Sequence, residues 1–420
     1  MHDEQVAAPV VPWALGRATE RVHTVELDYV RVDVDPLTQM GRYWAEDGTQ
    51  VEPIEAGKHP DHQHLHADRD QRRRRQGRRE AGQRHQHGRT SRLMPTAPNE
   101  VVLVVTEADD PHADLVIAEL NRRGRVEVVR VDPGDFPHTI RLAATLDTIA
   151  GGWNGTLITP SREIELNDVT AVYWRRPSGY RFPGLGKRDA AFATAQAVAG
   201  FGGVLTALPG AAYVNRPDRN RRAESKPAQL ALAAELGFRV PPTLITSDPG
   251  SAREFIAKHA PVVFKPLQVT EVRRGDRPAV LWTQRVEADE LDGSVAGTAH
   301  QFQAEIAAKT SDLRVTVVGE RVFCVRITSG PPGGPGLLDW RCDYDALSYE
   351  LIDPPAGMAG RLKGYLDELE LAFGCFDFAV DPDGEPWFLE CNPNGQWAWM
   401  EEPTGAPMTA AFADLLEGTP

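Results

Sequence analysis

An uninterrupted aliphatic run, Val101-Val-Leu-Val-Val105, sets the architecture of the chain. A strand exposed on one face alternates apolar and polar residues, so a continuous run marks a strand covered on both faces. Residues 111–123 follow with a helical pattern that stops at Gly124, and residues 125–132 return as a second strand. The order β-α-β implies a parallel sheet with helices on its faces, an α/β (α+β) fold. Residues 169–174 form another apolar strand that runs straight into Arg175-Arg176-Pro177. Residues 190–199 read as an Ala-rich helix, and residues 223–236 as an amphipathic helix ended by Gly237. Strands are then expected over 262–265, 279–284, 313–318, 321–327, 376–380 and 386–391.

Bulk properties exclude several classes. A chain of 420 residues suffices for two or three domains. It lacks both an apolar stretch of the roughly 18 residues a membrane helix needs and a basic segment leading into a long apolar run at its N-terminus. Cys324, Cys342, Cys375 and Cys391 stand singly, without C-x-x-C spacing. Reduced thiols in a cytoplasm are expected rather than a zinc site or a disulfide framework. A net charge of −14 opposes nonspecific nucleic-acid binding. That charge is uneven: residues 60–93 hold ten arginines against four acidic residues.

The segment from Cys375 to Gly395 carries the most chemistry. It parses as a strand, a type I or I′ turn at Asp383-Gly384 and a returning strand, which brings Asp377 near Glu390 and Asn392. Glu390 and Asn392 share a face because strand side chains alternate. Three hard oxygen donors on one face suit Mg²⁺, which fills its shell with water and phosphates. A hairpin with solvated carboxylates is the plainer alternative, but Phe376, Phe378, Phe388 and Leu389 flank these acids, and a carboxylate among apolar neighbours needs a partner. Lys265 ends an apolar strand and Lys226 opens a helix; each is costly facing inward unless it meets an anion such as a triphosphate. Phe302-Gln303-Ala304-Glu305-Ile306 has the pattern of a strand edge that offers backbone groups to an adenine ring. Lys309 and Asp312 follow, and Arg314 is placed to aim its fork at phosphate oxygens.

The order Lys226, Lys265, Gln303–Ile306, Asp312-Leu-Arg314, Asp377 and Glu390-x-Asn392 resembles that of ATP-grasp ligases. Trp174-Arg-Arg-Pro177, Asn215-Arg-Pro217, residues 224–230, residues 339–347 and Asn392-Pro-Asn-Gly-Gln-Trp397 narrow the resemblance to the maturases that tie graspetides, of the microviridin type. It covers about residues 99–415. It implies an ATP-grasp fold with a Rossmann-like pre-ATP-grasp domain at 99–210, a central subdomain at 211–295 and a C-terminal subdomain at 296–420. It also implies ATP and Mg²⁺ as cofactors, with Lys226, Lys265, Gln303, Ala304, Glu305, Ile306, Lys309, Asp312 and Arg314 at the nucleotide. Arg314 and Lys265 would be catalytic, Asp377, Glu390 and Asn392 would hold the metal, and Arg175, Arg176, Asp339 and Arg341 would face a peptide. Ala304 departs from related ligases, which often carry an acidic residue there. The activity implied is activation of peptide Asp or Glu side chains as acyl phosphates, captured by Ser/Thr hydroxyls or a Lys amine. A glutamate-adding or dipeptide ligase would share the ATP half, and a peptide-binding module with a dead nucleotide site is a further alternative. The partners implied are a precursor peptide with its leader and a second copy of the chain in a homodimer, with no nucleic acid and no membrane.

Residues 1–58 lie outside that frame. Pro12-Trp-Ala-Leu-Gly-Arg17, Asp35-Pro-Leu-Thr-Gln39, Gly41-Arg-Tyr-Trp44 and Glu55-Ala-Gly-Lys-His59 resemble the leader of the family's own precursor peptides. The Thr/Gly-rich core that follows such a leader is replaced by a His/Gln/Arg/Asp run at 59–98, expected to be a disordered basic linker. A one-base shift turns His and Asp codons (CAC, GAC) into Thr codons. Residues 60–93 are therefore expected to be a core read out of frame, fusing leader to enzyme, with Met94 the start of the free-standing catalyst. A genuine basic linker is the other reading. The gene decides: a +1 frame without Thr, Ser and Gly enrichment contradicts the frameshift.

Overall fold

A computed structural model describes residues 11–20, 29–51, 100–147, 151–268, 272–274, 277–329, 337–340 and 346–418. The basic run at 60–93, and with it the linker and frameshift expectations, lies outside the described residues.

The aliphatic run forms the strand Val101–Val105, buried along its whole length. It pairs in parallel with Val169–Trp174 on one side and Glu127–Val131 on the other, and Ala212–Val214 extends the sheet beyond Val169–Trp174. The helix Pro111–Arg123 connects the first two strands as the pattern requires. Asp110 caps it by accepting the Ala113 N–H, Pro111 occupies the first position, and Gly124 closes it at φ 64°. An antiparallel sheet of Arg141–Asp147, Gly152–Ile158 and Glu163–Glu165 was not expected from the sequence.

The amphipathic helix expected over 223–236 is Lys226–Glu235, with a separate short helix, Pro217–Ala223, just before it. Pro227 sets the start: it lacks an N–H and clashes inside a helix but suits a first turn, so the helix opens at Lys226. The strand expected over 279–284 is divided, because Arg277–Val280 and Gln284–Val286 join different sheets. The second sheet has the order Thr243–Thr246, His300–Ala304, Val262–Lys265, Gln284–Val286. His300–Ala304 is therefore an interior strand, paired on both sides, and not the edge that the sequence suggested.

The largest sheet is antiparallel, in the order Leu347–Ile352, Arg321–Ser329, Ser311–Val318, Phe373–Val380, Pro386–Asn392. Leu313, Val315, Val317, Phe376 and Phe378 belong to a core shared with the helices Lys226–Glu235 and Met358–Glu368. Val318, Val325, Ile327, Phe373 and Cys375 join a different core with Trp397, Phe412, Ala113, Val116 and Tyr173. That second core welds the parallel sheet to the strand Phe373–Val380 and its hairpin.

Arg175 lies at this weld, with 2% of its surface exposed. Its Nε reaches Asp110 at 3.4 Å, its Nη1 donates to Asn394 Oδ1 at 3.0 Å, and its carbonyl accepts Asn394 Nδ2 at 2.6 Å. Removing one member of a buried ion pair strands the other charge, at a cost of about 3–5 kcal/mol. Arg175→Ala should lower unfolding stability by that order, measured by chemical denaturation. A loss below about 1 kcal/mol would show that the weld does not depend on this pair.

Candidate active site

The hairpin is built as read. Gly384 N–H donates to Asp381 O at 3.0 Å and Asp381 N–H to Glu385 O at 3.1 Å. Gly384 has φ 81° while Asp383 is not among the positive-φ residues, so the turn is type I followed by a left-handed glycine, not type I′. Asp377 sits opposite Glu390, with a register shift between Asp377 and Phe378, and Cys375 sits opposite Asn392.

The neighbouring strand supplies Arg314, which sits opposite Asp377. Its Nη1 lies 2.8 and 2.7 Å from the two Asp377 oxygens, and its Nη2 donates to Gln396 O at 3.0 Å. Burial works against the Arg314 charge, but Asp377 and the nearby Cys375 outweigh it and strengthen its hold on the proton. Asn392 Nδ2 donates to Asp377 Oδ2 at 3.3 Å, and Lys226 Nζ forms an ion pair with Glu390. Arg314, Asp377, Asn392, Glu390 and Lys226 thus converge across three strands and a helix start. Two residues before Arg314, Asp312 pairs with Lys309 at 2.8 Å. Burial pushes the Asp312 carboxyl up to about 6 despite Lys309, with Asp377 and Asp339 adding repulsion.

Two amide side chains fix this hairpin. Asn215 Nδ2 donates to Phe373 O and Pro393 O, both at 2.8 Å, while its Oδ1 accepts the N–H groups of Ala372 and Phe373. Gln229 donates to Ala223 O and Cys391 O and accepts the Cys391 N–H. The sequence marked both stretches by resemblance without giving these residues a task; the available signal was a buried amide among apolar residues.

The remaining expected residues fall into three groups. Lys265 ends the strand Val262–Lys265 in the second sheet, half-buried. Gln303 is buried and donates from Nε2 to Thr243 Oγ1 at 2.8 Å; Ala304 and Glu305 spend their N–H groups on Pro242 O and Pro261 O. Arg285 holds the Glu305 carboxylate through two bonds of 2.6 and 2.7 Å. Arg175 is occupied at the weld, and Asp339 is buried near Asp312. Arg176 lies half-buried beside Arg175; burial first, then repulsion from Arg175, brings its guanidinium down to about 10. Arg341 lies outside the described residues.

A second cluster involves the N-terminal segment. Residues Trp13–Arg17 form a 3₁₀ turn. The Trp13 ring meets Phe264, His300 and Phe302 at centroid distances of 5.5, 5.8 and 6.0 Å. Its Nε1 donates to Glu290 O at 3.0 Å, and Arg17 pairs with Glu290 at the same distance. Thr19 and Glu20 then pair antiparallel with Val280 and Ala279.

Residues 101–218 match the family described as the MvdD pre-ATP grasp domain. A RiPP-associated ATP-grasp ligase from Chryseobacterium gregarium, solved with ADP and a leader and core peptide, superposes with a TM-score of 0.69 at 28% identity, over 76% of this chain and 98% of that one. The macrocyclase MdnC of Microcystis aeruginosa MRC, solved with the precursor peptide MdnA, gives 0.66 at 26% identity, covering 76% and 99%. The macrocyclase MdnB of the same organism gives 0.61 at 29% identity over the same shares. No curated protein matches this sequence. Fold and site together define an ATP-grasp ligase. Within that class, residues 101–218 carry the MvdD pre-ATP grasp domain, and the chain as a whole resembles a RiPP-associated ATP-grasp ligase and two macrocyclases. Among the described residues, no helix is long and apolar enough to cross a membrane.

His300 Nε2 accepts the Ala14 N–H at 3.3 Å, which requires a neutral ring, and burial lowers its pKa from 6.5. A lowered pKa in the docked state means that docking is complete above the free value and weakens as pH falls through it. Amide-exchange protection of residues 14–18, corrected for intrinsic rates, should therefore drop between about pH 7 and about pH 5. His300→Gln should flatten that dependence. Unchanged protection in the wild-type chain would rule His300 out as the cause.

Proposed function

We propose that this enzyme uses ATP to activate Asp or Glu side chains of a ribosomal precursor peptide as acyl phosphates. It then joins them to Ser/Thr hydroxyls or a Lys amine as ω-esters or ω-amides. The observation that carries the proposal is the convergence of Asp377, Glu390 and Asn392 with Arg314 and Lys226, in a chain related to ligases solved with precursor peptides.

The donor set fits Mg²⁺: two carboxylates and an amide oxygen are hard ligands on one hairpin. Among the described residues no group of three or more His, Cys, Asp or Glu is arranged to hold a metal ion by itself, so Mg²⁺ would need Asn392, phosphates and water to complete its shell here. Mg²⁺ held there with ATP would offset charge on the β- and γ-phosphates. Lys226 and Arg314 balance the carboxylates of the set and are the cations nearest to offer phosphate oxygens a partner. Lys265 is the third, and the backbone past Glu305 takes the adenine. Arg314, its fork fixed by Asp377 and Gln396 O, orients the acyl phosphate.

In the first step a peptide carboxylate oxygen bonds to the γ-phosphorus and ADP leaves. In the second the hydroxyl or amine attacks the acyl carbon, inorganic phosphate leaves, and the nucleophile gives up one proton. The chain supplies positioning and charge rather than a covalent nucleophile. Arg176 and Asp339 border the peptide's approach, and Arg341 is assigned there by resemblance. Residues 12–58 act as a leader in cis, at high effective concentration. Free Cys324, Cys375 and Cys391 suit a cytoplasmic enzyme acting where ATP is abundant.

Mass spectrometry of a precursor co-expressed with this enzyme should show the loss of one water per ring. Arg314→Lys and Asp377→Asn should each lower kcat by about 10²–10³ while the peptide still binds. ATP turnover without any mass change in the peptide would redirect the assignment to a small carboxylate substrate.

A further inference from the structure

Residues 29–51 form a three-stranded antiparallel sheet of Arg31–Val34, Gly41–Trp44 and Gln50–Val51. It is too small for a core of its own. Instead it lies on the parallel-sheet unit, far in sequence and separate in contacts from the aromatic cage around Trp13.

The contacts are those of a reader and a motif. Asp114 Oδ1 accepts the Gly41 N–H and Oδ2 the Tyr43 hydroxyl, both at 2.9 Å. Asp109 accepts the Tyr29 hydroxyl at 3.0 Å. Arg130 Nη1 bridges Asp114 at 2.6 Å, and its backbone N–H donates to Gln39 Oε1. Asn121 Nδ2 donates to Thr38 O at 2.7 Å, and Arg162 donates to the carbonyls of Pro36 and Leu37 at 2.8 and 2.9 Å. The enzyme side thus commits six side chains, counting Ser161 against Gln39, to one short peptide.

The residues that the segment spends on this contact form a pattern. Asp35 folds the turn by accepting the N–H groups of Leu37 and Thr38. Gln39 adopts φ 63° and is buried at 2% exposure. Gly41 has no room for a side chain: a Cβ would lie 2.8 Å from Ala108 O. Tyr43 is 1% exposed, whereas Leu37, an apolar residue inside the same motif, is 68% exposed. The buried positions are therefore Gln39, Gly41 and Tyr43, and it is buried polar groups with partners, not an exposed leucine, that carry information about a specific contact.

We propose that the pre-ATP-grasp unit carries its own docking site for the precursor leader. The site reads Asp-Pro-x-Thr-Gln-x-Gly-x-Tyr, supplied here in cis by residues 35–43. The inference rests on the leader assignment above and extends it: leader recognition is bipartite, with Trp13 in the cage and this motif on Asp114.

The test uses the full chain and a fluorescent synthetic peptide of residues 29–51. Tyr43→Ala in the chain loosens the cis occupant and leaves the receptor intact, so the peptide should bind that variant at least about tenfold more tightly than the wild-type chain. Adding Asn121→Ala or Arg162→Ala, both on the receptor surface, should each weaken binding severalfold. A peptide with Gly41→Ala should not bind, and a peptide of residues 11–20 should not compete. Equal binding to the wild-type and Tyr43→Ala chains, or undiminished binding of the Gly41→Ala peptide, would overturn the docking site. Because binding is read without ATP, a chain that binds the peptide but forms no crosslinks would contradict only the proposed reaction.

Discussion

The buried contact of Arg175 with Asp110 and Asn394 is the constraint on which the rest depends. Asp110 caps the helix Pro111–Arg123, and Asn394 follows the strand that bears Glu390 and Asn392. Burial alone would disfavour the Asp110 charge, but Arg175, His112 and Thr106 hold the carboxyl well below its usual range. The parallel sheet and the hairpin that bears Asp377 and Glu390 are therefore placed relative to one another by a charged pair inside a shared apolar core. In low dielectric such a pair tolerates little displacement, since any gap leaves an uncompensated charge.

The same helix start serves two purposes. Asp110 faces the hairpin, while its neighbour Asp109, with Asp114 one turn on, faces the leader-like sheet. The loop from Asn394 to Gln396 continues the line to Arg314, through the Gln396 carbonyl. Gly395 is required there because a Cβ would lie 2.6 Å from the Cys375 side chain. The proposed docking site and the candidate phosphate site thus lie on one continuous piece of packed structure.

Much of the fold was legible in the chain. The buried strand 101–105, the capped helix behind it and the strand Val169–Trp174 follow from unbroken apolar runs and a terminal glycine, signals that tertiary context reinforces. The hairpin at Asp383-Gly384 was legible because alternation and turn chemistry agreed. Pro227 marks the first turn of the helix Lys226–Glu235, so the expected range of 223–236 begins three residues too early. The sheet of residues 141–165 did not announce itself because its strands carry neither an unbroken apolar run nor a sustained apolar–polar alternation. The strand His300–Ala304 looked like an edge because pairing partners 60 residues upstream leave no mark in its own sequence.

By itself the sequence determined where the candidate metal-site residues stand along the chain. Asp377, Glu390 and Asn392 stand at fixed spacing on one hairpin, and period-two alternation puts Glu390 and Asn392 on one face whatever surrounds them. Only the tertiary structure decided which charge meets which. Arg314 neutralises Asp377, Lys226 neutralises Glu390, and Asn215 and Gln229 hold the hairpin from outside it. The same holds for Asp114 and the Gly41-Arg-Tyr43 stretch, 71 residues apart at their hydroxyl contact. Local pattern fixes a side chain's face because it depends on near neighbours. The partner across the gap is set by long-range packing, which no local pattern encodes.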